Sequence, residues 1–174
     1  AHRQAPQALG TGPAAAGIRR IYGGGQVGLI GTVADAVLAA GGAVTGIIPD
    51  FLTRREVAHP GASEMIVTDS MHSRKRRMFE LADAFVTLPG GLGTLDETFE
   101  IITWRQLGLH GKPVLLCDIA GSAGPLVAAM EATIEEGFAG ADIRDLYEVV
   151  DGVPALLARL ATLSAAQGGT SARL

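Results

Sequence analysis

The chain has 174 residues, of which 48% are hydrophobic and 5% aromatic, and its formal net charge is −4. This length allows one domain with its own core, the negative charge argues against nonspecific nucleic-acid binding, and the single cysteine, Cys117, excludes an internal disulfide. The sequence shows neither an apolar run long enough to span a membrane nor a signal peptide, so we expect a cytoplasmic protein without a membrane partner.

Strand-like and helix-like segments alternate along the chain. The strands 84–88 and 114–117 are apolar throughout, which is typical of a parallel sheet covered by helices on both faces. We therefore predict an α/β fold, a doubly wound parallel sheet of the Rossmann-like type, in a single domain over 1–164, followed by a flexible, Gly-, Ser- and Ala-rich tail over 165–174. The predicted strands are 18–22, 43–48, 64–67, 84–88, 113–118 and 149–150, and the predicted helices are 29–38, 70–81, 94–107, 125–136 and 154–163, with an irregular loop over 50–63.

The first glycine turn covers residues 23–28, between a predicted strand and a predicted helix. Its sequence, Gly-Gly-Gly-Gln-Val-Gly, fits the G-x-G-x-x-G pattern of dinucleotide sites. The acidic partner expected about 20 positions later would be Asp50, but Asp50 follows Pro49 and lies past the strand end. Three interpretations stay open: a tight structural turn, a phosphate or nucleotide contact, and the NAD site of a dehydrogenase.

The second glycine turn covers residues 89–94 and reads Pro-Gly-Gly-Leu-Gly-Thr. It ends a buried strand and opens a helix, where glycines allow close approach of a phosphate and the first helical amides have no partner in the helix. Thr94 either caps the helix or donates its hydroxyl to the phosphate. We predict a phosphate site made by the amides of Gly90, Gly91, Gly93 and Thr94.

A basic run covers residues 71–78 on a predicted helix. Helical spacing places Arg74 and Lys75 at the margin of an inward face marked by two methionines, whereas Arg76 and Arg77 either turn toward solvent or flank the site. Such a run is either a solvated face or, in an acidic chain just before a phosphate turn, a clamp for an anion.

The candidate carboxylates are Glu56, Asp96 and Glu97. A carboxylate next to a phosphate site would face a sugar hydroxyl or a developing cation rather than the phosphate. The prediction places Glu97 in the first turn of its helix, where the helix dipole alone would also explain a negative charge. The four histidines show no metal-ligand spacing, so we expect no metal.

Several stretches of the chain, taken together, resemble the Lonely Guy family of cytokinin-activating enzymes, also labelled possible lysine decarboxylases. The similarity runs from about residue 17 to 163, and the combination of an Arg-Lys pair with Pro-Gly-Gly-x-Gly-Thr-x-x-Glu is its most specific part. The shared stretches are 22–25, 28–31, 46–49, 69–75, 83–85, 89–97, 103–108 and 111–114.

The resemblance implies a phosphoribohydrolase that cleaves the N-glycosidic bond of N6-modified adenosine 5′-monophosphates, without metal or organic cofactor. Decarboxylation fits badly, because the sequence marks no lysine that would carry pyridoxal phosphate. By motif position Arg74 and Glu97 are implied to be the catalytic pair. The implied substrate contacts are Glu56, Lys75, Gly90, Gly91, Gly93, Thr94, Asp96 and Thr103.

The resemblance also raises two expectations about the fold and assembly. Family members begin with a central strand that carries a Gly-Ser-Ser turn, and this chain aligns only from the following helix, so either that strand precedes residue 1 or the first strand is missing. Loss of that strand would suit the alternative function, a nucleotide- or cofactor-binding module without catalysis. The family further implies a homodimer or higher homo-oligomer, for which Ile101, Ile102 and Trp104 are interface candidates.

Overall fold

The computed structural model describes residues 17–24, 29–53 and 59–170. These residues form two compact units. The C-terminal unit takes in residues 83–156, and the N-terminal unit takes in the described residues before 83 and after 156. Each unit contains a three-stranded parallel sheet.

The N-terminal unit has a sheet in the order β1-β2-β3. The central strand is buried along its whole length, since it is paired on both edges. Valines and alanines of the following helix pack without exposure, among them Val33, Ala34 and Val37. The elements are β1 Arg20–Tyr22, α1 Leu29–Ala39, β2 Val44–Pro49, α2 Asp50–Thr53, β3 Glu64–Thr68 and α3 Met71–Leu81.

The C-terminal unit has a sheet in the order β4-β5-β6. Its core includes Ile102, Val114, Leu116 and Met130, contributed by a strand and two helices. The elements are β4 Phe85–Thr87, α4 Leu92–Gln106, β5 Val114–Asp118, α5 Gly124–Glu135, a 3-10 helix Ala141–Leu146, β6 Glu148–Asp151 and α6 Gly152–Thr170, of which the last extends past the C-terminal unit.

The predicted α/β class with parallel strands is confirmed, and Gly23 and Gly24 of the first glycine turn and the whole second turn follow the carboxyl ends of β1 and β4, as predicted. The prediction that residues 84–88 are covered on both faces is wrong, because Val86 is 38% exposed on a strand at the edge of its sheet. A short helix, α2, interrupts the predicted loop, and α6 continues to Thr170 instead of ending at Leu163.

Some predictions fall outside the described residues, namely those on residues 25–28 of the first glycine turn, on Glu56, on the first family strand and on the last four residues of the predicted tail. In the part of the chain that the structure describes, every helix is too short or too polar to cross a bilayer.

Candidate functional site

The second glycine turn opens α4 without a side-chain cap. Gly91 is the N-cap residue, and the first hydrogen bond of the helix runs from the Leu95 amide to the Gly91 carbonyl at 3.2 Å. The amides of Leu92, Gly93 and Thr94 therefore precede the first helical donor and point out of the helix end. The alternative in which Thr94 caps the helix is wrong, because Thr94 is already its third residue.

The three glycines of this turn differ in their surroundings. A Cβ at Gly90 would collide with the Thr94 side chain, whose hydroxyl lies against the Gly90 backbone. A Cβ at Gly91 or at Gly93 would meet nothing within 4 Å. Gly90 is thus required by packing within the turn, whereas Gly91 and Gly93 have open space beside their Cα atoms.

Three threonines connect the end of β4 to the start of α4. The Thr98 hydroxyl lies 2.7 Å from the Thr94 carbonyl oxygen and 2.9 Å from the Thr87 hydroxyl. Thr98 is only 5% exposed, so it is one of the few buried polar side chains among the described residues. Sequence reasoning missed Thr98, although its position four residues after Thr94 is the usual spacing for a threonine that bonds to a helical carbonyl.

The two carboxylates after the turn lie in the second turn of α4, since the helix begins at Leu92 and not at Thr94. The prediction that Glu97 lies in the first turn is therefore wrong, and the helix dipole, which acts within that turn, does not account for it. Glu97 is half-buried, whereas Asp96 and Thr103 are exposed. Seven residues separate Asp96 from Thr103, which puts them on one helix face about 10 Å apart along the axis.

A small pocket of about 50 Å³ opens beside this turn, in the C-terminal unit. Leu88, Pro89 and Gly90 line it on one side, and Cys117 and Ser122 line it on the other. Burial raises the pKa of the Cys117 thiol to about 11, with a smaller contribution from the carboxylates of Asp118 and Asp151. The thiol is protonated at neutral pH and is a core group rather than a nucleophile.

In the N-terminal unit, the start of α3 is fixed by a cluster of polar side chains. Ser70 is the N-cap and forms a capping box with Ser73, each side chain accepting from the other's backbone amide. The Asp69 carboxylate accepts hydrogen bonds from both hydroxyls, and these bonds lower the pKa of Asp69. The cluster orients the first turn of α3, which carries Arg74.

The Arg74 side chain lies against the first glycine turn. Its guanidinium occupies the space where a Cβ at Gly23 would be, and its Nη1 is 3.8 Å from the Met71 sulfur. Two of the predicted elements, the basic helix and the first glycine turn, are therefore in contact. Lys75 is also half-buried.

The neighbouring arginines behave as predicted for a solvated face. The side chains of Arg76 and Arg77 are 80% and 46% exposed, and both bond to Glu80. The basic run thus divides into an inward pair, Arg74 and Lys75, and an outward pair.

A polar cluster beside β1 was not predicted. His59 is buried, and its Nδ1 accepts a hydrogen bond from the Gly61 amide at 3.1 Å. The proton of the ring is therefore on Nε2, which donates to the Asp35 carboxylate at 2.8 Å. Its ring meets Tyr22 edge-on with centroids 6.5 Å apart. Asp35 and His59 are 24 residues apart in the sequence, and their pairing follows from the packing of the fold rather than from any local pattern.

The parallel sheets and the glycine turn at the open end of α4 define a Rossmann-like α/β protein. The family described as "Possible lysine decarboxylase" matches residues 30–160, and the chain belongs to that family.

Curated relatives carry a more specific name. A cytokinin riboside 5′-monophosphate phosphoribohydrolase of Rhodococcoides fascians is 46% identical over 136 residues, which cover 78% of this chain and 69% of the relative. One of Arabidopsis thaliana is 42% identical over 137 residues, covering 79% of this chain and 64% of the relative. A probable enzyme of the same name from Oryza sativa is 44% identical, with the match spanning 62% of its length.

Solved structures with the same fold include molybdenum cofactor proteins. The molybdenum cofactor carrier protein of Chlamydomonas reinhardtii superposes with a TM-score of 0.69 at 20% identity, over 94% of this chain and 88% of that chain. The molybdenum cofactor binding protein of Rippkaea orientalis gives 0.70 at 19% identity, over 93% and 87%. At these identities the likeness shows the fold alone.

Proposed function

We propose that the chain is a phosphoribohydrolase that cleaves the N-glycosidic bond of N6-modified adenosine 5′-monophosphates and releases a free cytokinin base and ribose 5-phosphate. The observation that carries the proposal is the start of α4 without a side-chain cap, in a turn of three glycines, followed by Glu97 in the second turn of the helix. Relatives at 38–46% identity that bear the name of this activity support it.

The 5′-phosphate is the natural ligand for the turn. The amides of Gly90, Gly91, Gly93 and Thr94 supply donors, and the dipole of α4 adds a favourable field for an anion. Open space in front of Gly91 and Gly93 allows the phosphate oxygens to approach the backbone. Binding at the phosphate anchors the substrate away from the bond that breaks, so that this binding energy can be used to orient the reacting centre.

Glu97 serves the reaction at the other end of the ribose. Breaking the bond between the anomeric carbon and the base nitrogen builds positive charge on the sugar, as in glycoside hydrolysis. The Glu97 carboxylate stabilises that charge and holds the ribose hydroxyls. A water oxygen then bonds to the anomeric carbon and the water loses one proton, while the departing base nitrogen takes up one proton, so that the sum is hydrolysis. Neither step calls for a metal or an organic cofactor.

Arg74 acts either on the phosphate or on the departing base, and both roles suit a guanidinium held on a glycine backbone. Lys75, Asp96, Thr103 and Glu56 are proposed as further substrate contacts from the family resemblance. We do not propose lysine decarboxylation, although the family is described by that name, since no sequence motif indicates a lysine that would carry pyridoxal phosphate.

The direct test is a base-release assay. The protein is incubated with N6-isopentenyladenosine 5′-monophosphate and with AMP, and the products are separated by chromatography. The proposal expects isopentenyladenine and ribose 5-phosphate in equal amounts. Folded protein that releases no base from either nucleotide would overturn it, and saturable nucleotide binding without product would instead favour the non-catalytic binding module. The remaining interpretation of the first glycine turn, the NAD site of a dehydrogenase, predicts that the protein binds NAD in a titration.

We also propose a cytoplasmic homodimer or higher homo-oligomer. Ile102 does not fit the interface expected from the sequence, because it is 6% exposed and packs in the core of the C-terminal unit. Trp104 and Ile101 stay candidates. A sedimentation profile with only monomer at micromolar concentration would reject the assembly.

A further inference from the structure

We infer that Thr98 is a positioning residue for the proposed phosphate site, acting with Thr87 to hold the glycine turn and the first residues of α4 in their binding form. The inference rests on the proposed function, because it assigns a role within the same site. It concerns a residue that makes no contact with substrate and acts through the backbone of Thr94.

The direction of the hydrogen bonds follows from the number of protons available. A threonine hydroxyl has one proton to donate and two lone pairs to accept with. The Thr98 hydroxyl uses its proton on the Thr94 carbonyl at 2.7 Å, because that oxygen can only accept. At 2.9 Å the Thr87 hydroxyl must therefore donate to Thr98. The result is a chain of two bonds that runs from the last residue of β4 to the first turn of α4.

This chain of hydrogen bonds bridges a glycine-rich segment. Two of the four residues that connect β4 to α4, Gly90 and Gly91, are glycines, and Gly93 follows in the first turn of the helix; glycine has the largest conformational freedom of any residue. Side chains that could restrain the turn are absent at Gly91 and Gly93, since glycine has none. The hydrogen bonds from Thr87 to Thr98 and from Thr98 to the Thr94 carbonyl restrain the turn. The backbone amides of the turn are therefore oriented before the phosphate binds.

The contact between Thr94 and Gly90 extends the same restraint to the turn itself. The Thr94 side chain packs against the Gly90 backbone closely enough to exclude a Cβ. Fixing the Thr94 carbonyl through Thr98 therefore also fixes the position of Gly90. A threonine that bonds only to the carbonyl four residues earlier would be a local feature of the helix. The bond from Thr87 and the burial of Thr98, 5% exposed, make this one a connection between two elements.

The experiment measures binding and turnover separately in Thr98→Val, which keeps the shape and removes the hydroxyl. Ribose 5-phosphate is titrated into each protein by calorimetry, and kcat and KM are measured with N6-isopentenyladenosine 5′-monophosphate. We expect Kd and KM to rise about five- to tenfold, as for loss of one orienting hydrogen bond, and kcat to change less than about twofold. Thr98→Ser, which restores the hydroxyl, should recover the wild-type values.

Thr133→Val is the matched control. Thr133 lies on α5 in the same unit, and its hydroxyl likewise bonds to a helical carbonyl, that of Met130, at 2.7 Å. The control should leave Kd and KM unchanged. Thr87→Val removes only the first bond of the chain and should also raise Kd. In the double variant Thr87→Val/Thr98→Val, the fold-rise in Kd should be smaller than the product of the two single-variant rises, because both substitutions break the same chain of bonds.

The outcomes separate this inference from the function beneath it. Wild-type protein that neither binds ribose 5-phosphate nor releases base would remove the proposed function. Wild-type activity together with a folded Thr98→Val that binds and turns over normally would overturn the inference alone. If Thr98→Val does not fold, Thr87→Val decides, and an unchanged Kd in that variant would likewise overturn the inference.

Discussion

The guanidinium of Arg74 lies directly on the backbone of Gly23, so closely that a methyl group at position 23 would have to displace it. The glycine follows β1 and the arginine belongs to the first turn of α3, so the contact joins two segments that are 51 positions apart in the sequence. The first glycine turn therefore has a second role besides any ligand contact, which is to provide a flat surface for the proposed catalytic arginine.

Gly23→Ala should displace Arg74 and lower kcat/KM by roughly the same factor as Arg74→Ala, on the order of 100-fold for loss of one oriented charged group. The double variant should lose little more than either single one, because both remove the same interaction. Gly111→Ala is the control, since a Cβ there meets nothing within 4 Å. Additive losses in the double variant would show that Gly23 does not act through Arg74.

Gly93→Ala should separate stability from binding. Gly93 lies inside α4 with open space around its Cα, so alanine is expected to stabilise the fold by up to about 1 kcal/mol through helix propensity. The same methyl group would occupy the approach of the phosphate and weaken ribose 5-phosphate binding. Thermal unfolding and calorimetry on one preparation measure both effects. A variant that is more stable and binds with unchanged affinity would show that the phosphate lies elsewhere.

Glu97→Gln should reduce kcat by at least about 100-fold while leaving ribose 5-phosphate binding within about twofold, because the carboxylate charge is needed at the sugar and not at the phosphate. The measurement is single-turnover base release at saturating nucleotide. Glu135→Gln, an exposed position near the end of α5, is the matched control and should behave as wild type. Comparable activity of the two variants would remove Glu97 from the mechanism.

The element types and the parallel strands could be predicted from the sequence because each depends on local patterns, such as the continuous apolar run of β5. The start of α4 could not be predicted in this way. Threonine is a common N-cap residue, so the sequence indicated a cap at Thr94, whereas the N-cap in the structure is Gly91. That error of three residues in the N-cap position moved Glu97 into the wrong helical turn. Exposure of Val86 was missed because an apolar run does not reveal which strand lies at a sheet edge.

The candidate site residues were found by motif, but their supporting contacts were not. Gly23 against Arg74 and Thr87 against Thr98 both join residues brought together only by the packing of strands and helices. The polar cluster of Asp69, Ser70 and Ser73 could have been predicted, since Ser70 and Ser73 have the spacing of a capping box. Long-range pairs such as Asp35 and His59 had none.

The Cys117 thiol predicts an alkaline loss of stability. The pKa of the thiol is near 9.0 in the unfolded chain and about 11 in the folded chain. Below pH 9 the thiol is protonated in both states, and its ionisation does not reduce the free energy of unfolding. Between pH 9 and 11 the unfolded thiol ionises first, which favours unfolding, and the contribution is lost as pH passes 11. The free energy of unfolding should thus fall more steeply over this range in wild type than in Cys117→Ala. Equal slopes would contradict the shift.

The thiol should also resist alkylation. At pH 8 iodoacetamide is expected to modify Cys117 in urea-unfolded protein within minutes and to leave the folded protein unmodified over the same time, because the thiolate is the reactive form. Mass spectrometry of the two samples measures the difference. Equal rates in the two samples would mean that the buried position does not protect the thiol.

The most direct test of the central claim is a crystal structure of Glu97→Gln soaked with N6-isopentenyladenosine 5′-monophosphate. We predict phosphate oxygens within hydrogen-bonding distance of the backbone nitrogens of Gly93 and Thr94, and the ribose in contact with the side chain at position 97. A nucleotide bound elsewhere, with both amides and position 97 uncontacted, would contradict the account.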